Sequence, residues 1–359
     1  MTTTPDRSSR SDAPAAGLDE TPGVPGLPGP WLVADIGGTN ARFGWLDAGA
    51  GLGTVEHVVT IPAAEHAGPA EAAQVYLLQL AHQLGASYRP PLAGAFAVAT
   101  AVGGDRIVFT NSGWAFSRQE TQRALGLDEL LVLNDFEALA LSLPRLHGSQ
   151  IRAFGPVRAP SPTDAVASGA LAVIGPGTGL GVAGLVPTRH GWVAVPGEGG
   201  HASLAATDDF ETALLAAVHR FYVHISAERL LSGIGLPVMH AAVGHLLGQP
   251  AEALTTEQIV ERGLARSDEA CSRTVDSFCA LLGSFAGNVA LILGARGGVY
   301  VGGGIVPRLG ERFFESRFRE RFEAKGRFQG YLQAIPTVLI TDTQAALTGA
   351  ALALEQAGR

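Results

Sequence analysis

Apolar residues recur along the chain in short runs and in helical spacing, and the two patterns alternate. AGAFAVAT (93–100), ELLVLN (129–134) and PTVLIT (336–341) are apolar runs of strand length. EAAQVYLLQLAHQL (71–84) carries its apolar residues at helical spacing, and QAALTGAALALEQ (344–356) is built from good helix formers. LVADIGGTNARFGWLD (32–47) reads as an apolar strand, a Gly-Gly-Thr-Asn turn and a second alternating strand. LAVIGPGTGLGVAGLV (171–186) repeats that outline. In ELLVLNDFEALALSLP (129–144) a strand runs into Asn134-Asp135 and then into a helix that stops at Pro144, with Asp135 at the N-cap position. The alternation predicts an α/β fold. The recurrence of one strand–turn–strand unit about half a chain apart predicts two related domains facing each other.

Two segments stand outside this pattern. Residues 1–30 hold several prolines and no apolar core segment, so they read as a disordered tail, with the fold beginning near Trp31. SFCALLGSFAGNVALILGA (277–295) carries no charge and approaches the length of a membrane span. Gly283, Ser284, Gly287 and Asn288 interrupt it, and it reads as a buried core helix.

Composition narrows the function. A length of 359 residues favours two domains, and 47% hydrophobic residues suffice for sizeable cores. A net charge of −8 with no basic block gives no pull toward nucleic acid or anionic membrane. Of the 25 basic residues only Lys325 is a lysine, and Gly326-Arg327 follows it. A Walker-type phosphate loop and the protein-kinase set both require a lysine in another context, so both are excluded. Cys271 and Cys279 have no neighbouring metal-ligand pattern and read as reduced, buried thiols; no histidine falls in an HExxH zinc motif.

Polyphosphate can be bound without lysine. Gly37 and Gly38 let a ligand approach the main chain, and Thr39 and Asn40 add side-chain donors. Asp35 would repel a bare phosphate but attract a hydrated Mg²⁺ that the phosphate carries. The alternative is an ordinary hairpin with a solvated aspartate. The second turn, with Gly177, Thr178 and Gly179, strengthens the phosphate reading, because two such turns can grip one polyphosphate from two sides. Gly302 and Gly303, in GGVYVGGGIVPRL (297–309), would allow close approach of a ring or ribose, or serve structure alone.

A third set of residues suits a neutral ligand rich in hydroxyls. VPGEGGHASLA (195–205) places Glu198 and His201 in a glycine-flanked loop, and ISAERLLSGIGL (225–236) places Ser226 before a short helix that contains Glu228. Carboxylates accept from paired hydroxyls, and imidazole donates or accepts. Asp135 would be a routine helix cap or a base at a strand's carboxyl end; Glu228 would be a helix-dipole carboxylate or a ligand group.

The ordered motifs ADIGGTNAR, TNSGWAFS, LNDFEALA, GPGTGLGVA, PGEGGH, SAERLLSGIGL and GGVYVGGGIVPR resemble those of the bacterial glucokinases of the proteobacterial type, in the actin-like sugar-kinase superfamily. The resemblance covers about residues 31–350. It implies two actin-like (ribonuclease H-like) α/β domains with an active-site cleft between them: 31–145 plus 341–359, and 146–340. It implies ATP–Mg²⁺ on Gly37, Gly38, Thr39 and Asn40 and on Gly177, Thr178 and Gly179. The adenosine side would use Gly302 and Gly303, and Asp35 would hold the metal through water. Glucose would be held by Asn134, Asp135, Glu198, His201 and Glu228, with Asp135 as catalytic base, ionised at the helix N-terminus. A cytoplasmic homodimer that binds neither nucleic acid nor membrane is the further expectation. The rival readings are a kinase for mannose or an N-acetylated sugar, and a nucleotide-gated binding protein without transfer chemistry.

Overall fold

Strand β1 (Trp31–Ile36) sends Trp31 and Val33 to one apolar layer and Leu32, Ala34 and Ile36 to another, as a period of two requires. A strand buried on both faces has no polar side, which is why these runs are continuously apolar. The computed structural model describes residues 29–47, 54–109, 113–158, 169–189, 191–249 and 252–358. The proposed tail therefore lies almost wholly outside the described residues.

β1 belongs to a five-stranded sheet in the order β3-β2-β1-β4-β7, with β2 Asn40–Leu46, β3 Glu56–Pro62, β4 Ala93–Val98 and β7 Glu129–Asn134. β1, β2 and β3 form an antiparallel meander, whereas β4 and β7 run parallel to β1. β5 (Arg106–Val108) and β6 (Ala115–Ser117) make a separate hairpin. The second sheet follows the same plan, in the order β11-β10-β9-β12-β13-β8. β9 (Leu171–Pro176), β10 (Leu180–Thr188) and β11 (Gly191–Gly197) form the meander. β12 (Gly298–Val301) and β13 (Thr337–Ile340) run parallel to β9, and β8 (Ile151–Phe154) is added antiparallel at the edge. The repeat seen in the sequence is thus a repeat of topology.

Two helices fill the space between the sheets. Asp135–Ser142 and Ala345–Ala357 share one apolar layer with Val33 and Ala95 of the first sheet and with Leu171, Val173 and Tyr300 of the second. They cross closely: a Cβ on Gly349 would stand 1.7 Å from the carbonyl oxygen of Ala138, so only glycine fits there. The last helix also lies on β1 and β4, so the chain returns to its first sheet.

The apolar segment around residues 277–295 lies mostly in the helix Glu269–Leu293, 78% of whose most apolar stretch is buried within the protein. It forms the core beneath the second sheet with Phe278, Leu282 and Phe285. Among the described residues it is the one helix long and apolar enough to cross a membrane, and it is spent on this core.

Candidate active site

The carboxyl ends of the three parallel strands of the first sheet are level: Ile36 is in register with Val98, and Val98 with Asn134. α/β proteins place ligands beyond such ends. Asp35 stands one residue before the end of β1, and Asn134 closes β7. Asn134 Nδ2 donates to the Thr100 carbonyl beyond β4 (3.1 Å), which ties the two strand ends together.

The helix after β7 corrects the sequence reading in one respect. Asn134, not Asp135, is the N-cap: its backbone is extended (φ −64°, ψ 148°) and its Oδ1 accepts from Phe136 N at 2.9 Å. Asp135 is the first helical residue, and its own Oδ1 accepts from the same N–H at 2.9 Å.

The charge of Asp135 also departs from expectation. A helix N-terminus favours carboxylate, yet the Asp135 carboxyl is pushed up to about 7. Burial is the largest cause, and repulsion from the Asp35 carboxylate comes next, with Glu198 adding to it. The bond from Phe136 N opposes the shift without cancelling it. Burial raises Asp35 as well, against the pull of Arg42, whose Nη1 lies 3.6 Å from its Oδ2. Arg42 is itself anchored on the Thr343 carbonyl.

On the second sheet the loop after β11 meets the segment before the short helix Ala227–Leu230. Leu204 N donates to Ile225 O (2.9 Å) and Ala227 N to Ala202 O (2.8 Å). Ser226 caps that helix through Arg229 N. This pairing sets His201 between two carboxylates, its Nε2 3.9 Å from Glu198 and its Nδ1 3.9 Å from Glu228. Glu228 reaches beyond its own helix: its Oε2 accepts from Leu180 N at 2.9 Å, at the start of β10. Glu198 and His201 are solvent-facing, and Glu228 is recessed.

The glycines of the second turn divide by task. Gly175 and Gly181 make room for the Phe136 ring, which would stand 2.5 Å and 2.1 Å from a Cβ at these positions. Gly179 makes room for the Glu228 carboxylate, 2.4 Å from a Cβ there. Gly177 faces open space beside the exposed Thr178, with its N–H donating to Gly179 O (2.9 Å). In the first turn Gly37 N donates to Asn40 O (2.9 Å), and Thr39 and Asn40 are exposed. Gly38 sits partly buried between them.

Gly302 is buried against Leu139, with its N–H on Ile174 O. Gly303 has φ +77°, and a Cβ there would stand 2.4 Å from the Pro176 carbonyl oxygen. Gly303 is close to the second hairpin yet exposed, whereas Gly302 packs on the helix that contains Leu139.

Four residues of the site carry no motif-level prediction. Thr100, from the bend beyond β4, holds Asn134, and Arg42, on β2, holds Asp35. Phe136 couples the Asn134–Asp135 turn to the second hairpin. Gly233 N donates to Gly177 O (2.7 Å), and the Gly233 carbonyl accepts from Thr256 Oγ1. Gly233 lies in the glycine loop singled out from the sequence; the contacts of the others span 34 to 301 positions of chain or depend on ring packing, and leave no local pattern. Next to this contact opens a cavity of about 300 Å³, lined by Thr256, Val260, Leu264, Ile305 and Arg308 together with Glu257 and Glu261. Ile305 N donates to Pro176 O (3.2 Å), so the cavity adjoins the second turn.

The arrangement offers a carboxyl of near-neutral pKa beside two glycine hairpins, a cluster of polar groups, and a largely apolar cavity behind one hairpin. A family model described as glucokinase matches residues 32–357. A glucokinase of Aromatoleum aromaticum is 46% identical over 328 residues, covering 91% of this chain and 95% of its own. One of Chromobacterium violaceum is 45% identical, covering 91% and 90%. Among solved structures, a glucokinase from an Antarctic psychrotroph superposes with a TM-score of 0.81 at 37% identity, over 90% of this chain and 98% of that one.

Proposed function

Because this chain belongs to the glucokinase family, we propose that its cleft transfers the γ-phosphoryl group of ATP to the 6-hydroxyl of glucose, giving glucose 6-phosphate and ADP. The observation that carries the mechanism is the Asp135 carboxyl, pushed up to about 7 at the carboxyl end of a parallel strand. A general base works best with a pKa near the operating pH. Phosphoryl transfer passes through a loose transition state, so the base need only orient the hydroxyl and take its proton late. Asp135 would accept that proton. Asn134, Glu198, His201 and Glu228 would supply the acceptors and donors that a hexose requires, with Glu228 held in place by Leu180 N.

The backbone of Gly37–Asn40 and of Gly177–Gly179 would cradle the polyphosphate. The cavity beside Ile305 and Arg308 would take the adenosine, with Gly302 and Gly303 contributing close backbone approach. Asp35 and Asp135 repel each other, and the Arg42 guanidinium offsets the charge of Asp35 alone. That excess of negative charge fits a divalent cation, and we assign Mg²⁺ to Asp35 through water. Bound with ATP, Mg²⁺ neutralises charge on the phosphoryl oxygens. What this chain does itself is position the donor, orient the hydroxyl, hold its proton on Asp135, and exclude water as the two sheets close on the ligands.

We take residues 31–145 with 341–359, and residues 146–340, as the two closing units. The return of the last helix to the first sheet supports this division. We also propose a cytoplasmic homodimer, which light scattering on the purified protein tests. The reaction is tested by ADP release with glucose, 2-deoxyglucose, mannose, N-acetylglucosamine and no sugar. Release with glucose above the other sugars is expected. Preference for another hexose would overturn the choice of substrate, and equal release without sugar would overturn the transfer.

A further inference from the structure

At the start of the long core helix three side chains of different chemistry meet. His240 comes from the helix Gly235–Leu246, Asp268 is the N-cap of Glu269–Leu293, and Cys271 is in that helix's first turn. An imidazole nitrogen, a carboxylate oxygen and the thiol sulfur all lie within 4.8 Å of one another, the one such group of mixed donors among the described residues. Cys271 is fully buried and His240 only 3% exposed.

The plainest account is a helix cap. Asp268 Oδ1 accepts from Cys271 N at 2.7 Å, and the thiol also bonds the carboxylate. That account leaves out His240. The residue is only 3% exposed and takes no part in the cap, yet a ring nitrogen stands within 4.8 Å of both the carboxylate and the thiol. The Asp268 carboxylate attracts the His240 imidazole as well as accepting from Cys271 N in the cap. These donors are the set a zinc-class cation selects: neutral imidazole, thiolate and carboxylate, with the fourth tetrahedral position open to water.

The charges also close. One divalent cation, one thiolate, one carboxylate and a neutral imidazole sum to zero, so the loaded site carries no net charge into the interior. Arg262 stands nearby and would repel a cation, but Glu252 holds its Nη1 at 2.7 Å.

We propose that His240, Asp268 and Cys271 form a structural site for a zinc-class divalent cation, which pins the Gly235–Leu246 helix to the start of Glu269–Leu293. On binding, the Cys271 S–H bond is exchanged for a metal–sulfur bond, and the proton leaves to solvent. The pinned helix directly follows the Gly233 loop that holds Gly177, so the site would stiffen the support of the second turn from behind.

The test uses the full chain, stripped with a chelator and desalted. Zn²⁺ is titrated in competition with a chromophoric chelator, and Co²⁺ is added in parallel for its spectrum. One tightly bound equivalent is expected, with a thiolate-to-cobalt charge-transfer band. Cys271→Ala should lose the band and weaken Zn²⁺ binding by about tenfold or more. Cys279→Ala should change neither, and sugar phosphorylation should survive in both variants. Absence of stoichiometric Zn²⁺ binding, a cobalt spectrum without the thiolate band, or binding undiminished in Cys271→Ala would overturn the proposal and leave a hydrogen-bonded cap. Should Cys271→Ala fail to fold, Asp268→Asn keeps the capping oxygen and removes only the anion. Weakened Zn²⁺ binding in that variant then supports the site, and unchanged binding refutes it.

Discussion

The ring of Phe136 occupies the space that a side chain at Gly181 would need: a Cβ there would stand 2.1 Å from the ring. Phe136 follows Asp135 directly, and Gly181 is the second residue of β10, the return strand of the second hairpin. Asp135 and the second turn are therefore held in mutual register by a phenyl ring, and a glycine that looks like part of a phosphate loop is spent on packing.

Gly181→Ala should displace that ring and Asp135 with it. Overpacking of this kind costs about 1–3 kcal/mol, and a small misplacement of a catalytic group lowers turnover further. We expect a lower Tm and a lower kcat, with part of both recovered in Gly181→Ala/Phe136→Leu. Calorimetry and steady-state kinetics on the single and double variants measure this. A fully active and stable Gly181→Ala would show that the ring has somewhere else to go.

Asp135→Asn keeps the shape of the side chain and its acceptor for Phe136 N, but cannot take a proton. Loss of a general base typically costs about 10²–10⁴ in rate. We expect kcat to fall by that order while glucose binding stays within about tenfold, roughly 1.4 kcal/mol. Calorimetric titration with glucose separates the two. Turnover within a few-fold of wild type would remove Asp135 from the role of base.

The raised Asp135 carboxyl sets the direction of the pH profile. The active form is deprotonated, so kcat/KM should climb with pH through a limb near 7 and flatten above it. The Asp35 carboxylate contributes to that position. Asp35→Asn should move the limb to lower pH, and should also raise the Mg²⁺–ATP concentration needed for half-maximal rate. A limb that stays in place would show that burial alone sets it.

The same group links stability to pH. Folded Asp135 holds its proton up to about 7, whereas the unfolded side chain releases it near its ordinary value of 3.8. Between those values the folded state binds the extra proton. Its contribution to stability is complete below the lower value and is lost as pH rises through the upper. One proton limits the slope to about 1.4 kcal/mol per pH unit. Urea unfolding of the ligand-free protein from pH 5 to 8 should show Asp135→Asn gaining on wild type as pH rises. Parallel curves would contradict a buried, titrating Asp135.

Much of this was legible in the sequence. β7 spans the residues read as a strand, and the last helix differs from its reading by one position at each end. Period-two burial and helix-forming composition are local signals. The repeat of strand–turn–strand predicted two related halves, and the two sheets share one topology. What could not be read was what each glycine is for. Gly175, Gly179 and Gly181 answer to Phe136 and Glu228, residues 39 to 49 positions away, and nothing in a glycine-rich string says which of its members face a ligand. The pKa of Asp135 was unreadable for a similar reason. A helix N-terminus is a local feature, whereas burial and the nearness of Asp35 arise only once β1 and β7, distant in the chain, are aligned in one sheet. The partners of Cys271 escaped too, because His240 lies on another helix.

Sugar choice tests the second half of the cleft. His201 stands 3.9 Å from each of Glu198 and Glu228, so its ring and the two carboxylates can address adjoining hydroxyls. Glu228 already spends one oxygen on Leu180 N, so its freedom to adapt to another sugar is limited. We propose, from the family resemblance, that the edge His201 and Glu198 would meet includes the 2-position. Groups arranged to bond a hydroxyl are left unpaired by an analogue that lacks it, and discrimination against that analogue is then large. Glucose should be preferred over 2-deoxyglucose, mannose and N-acetylglucosamine, the last also for its bulk. His201→Ala should weaken glucose more than 2-deoxyglucose and narrow the gap between them by about tenfold, the 1.4 kcal/mol of one hydrogen bond. The measurement is kcat/KM for the four sugars on wild type and variant. Equal loss for all four would mean that His201 supports the loop between Glu198 and Ser203 and does not read the 2-position. A gap left unchanged, with glucose still preferred, would shift that reading onto Glu198.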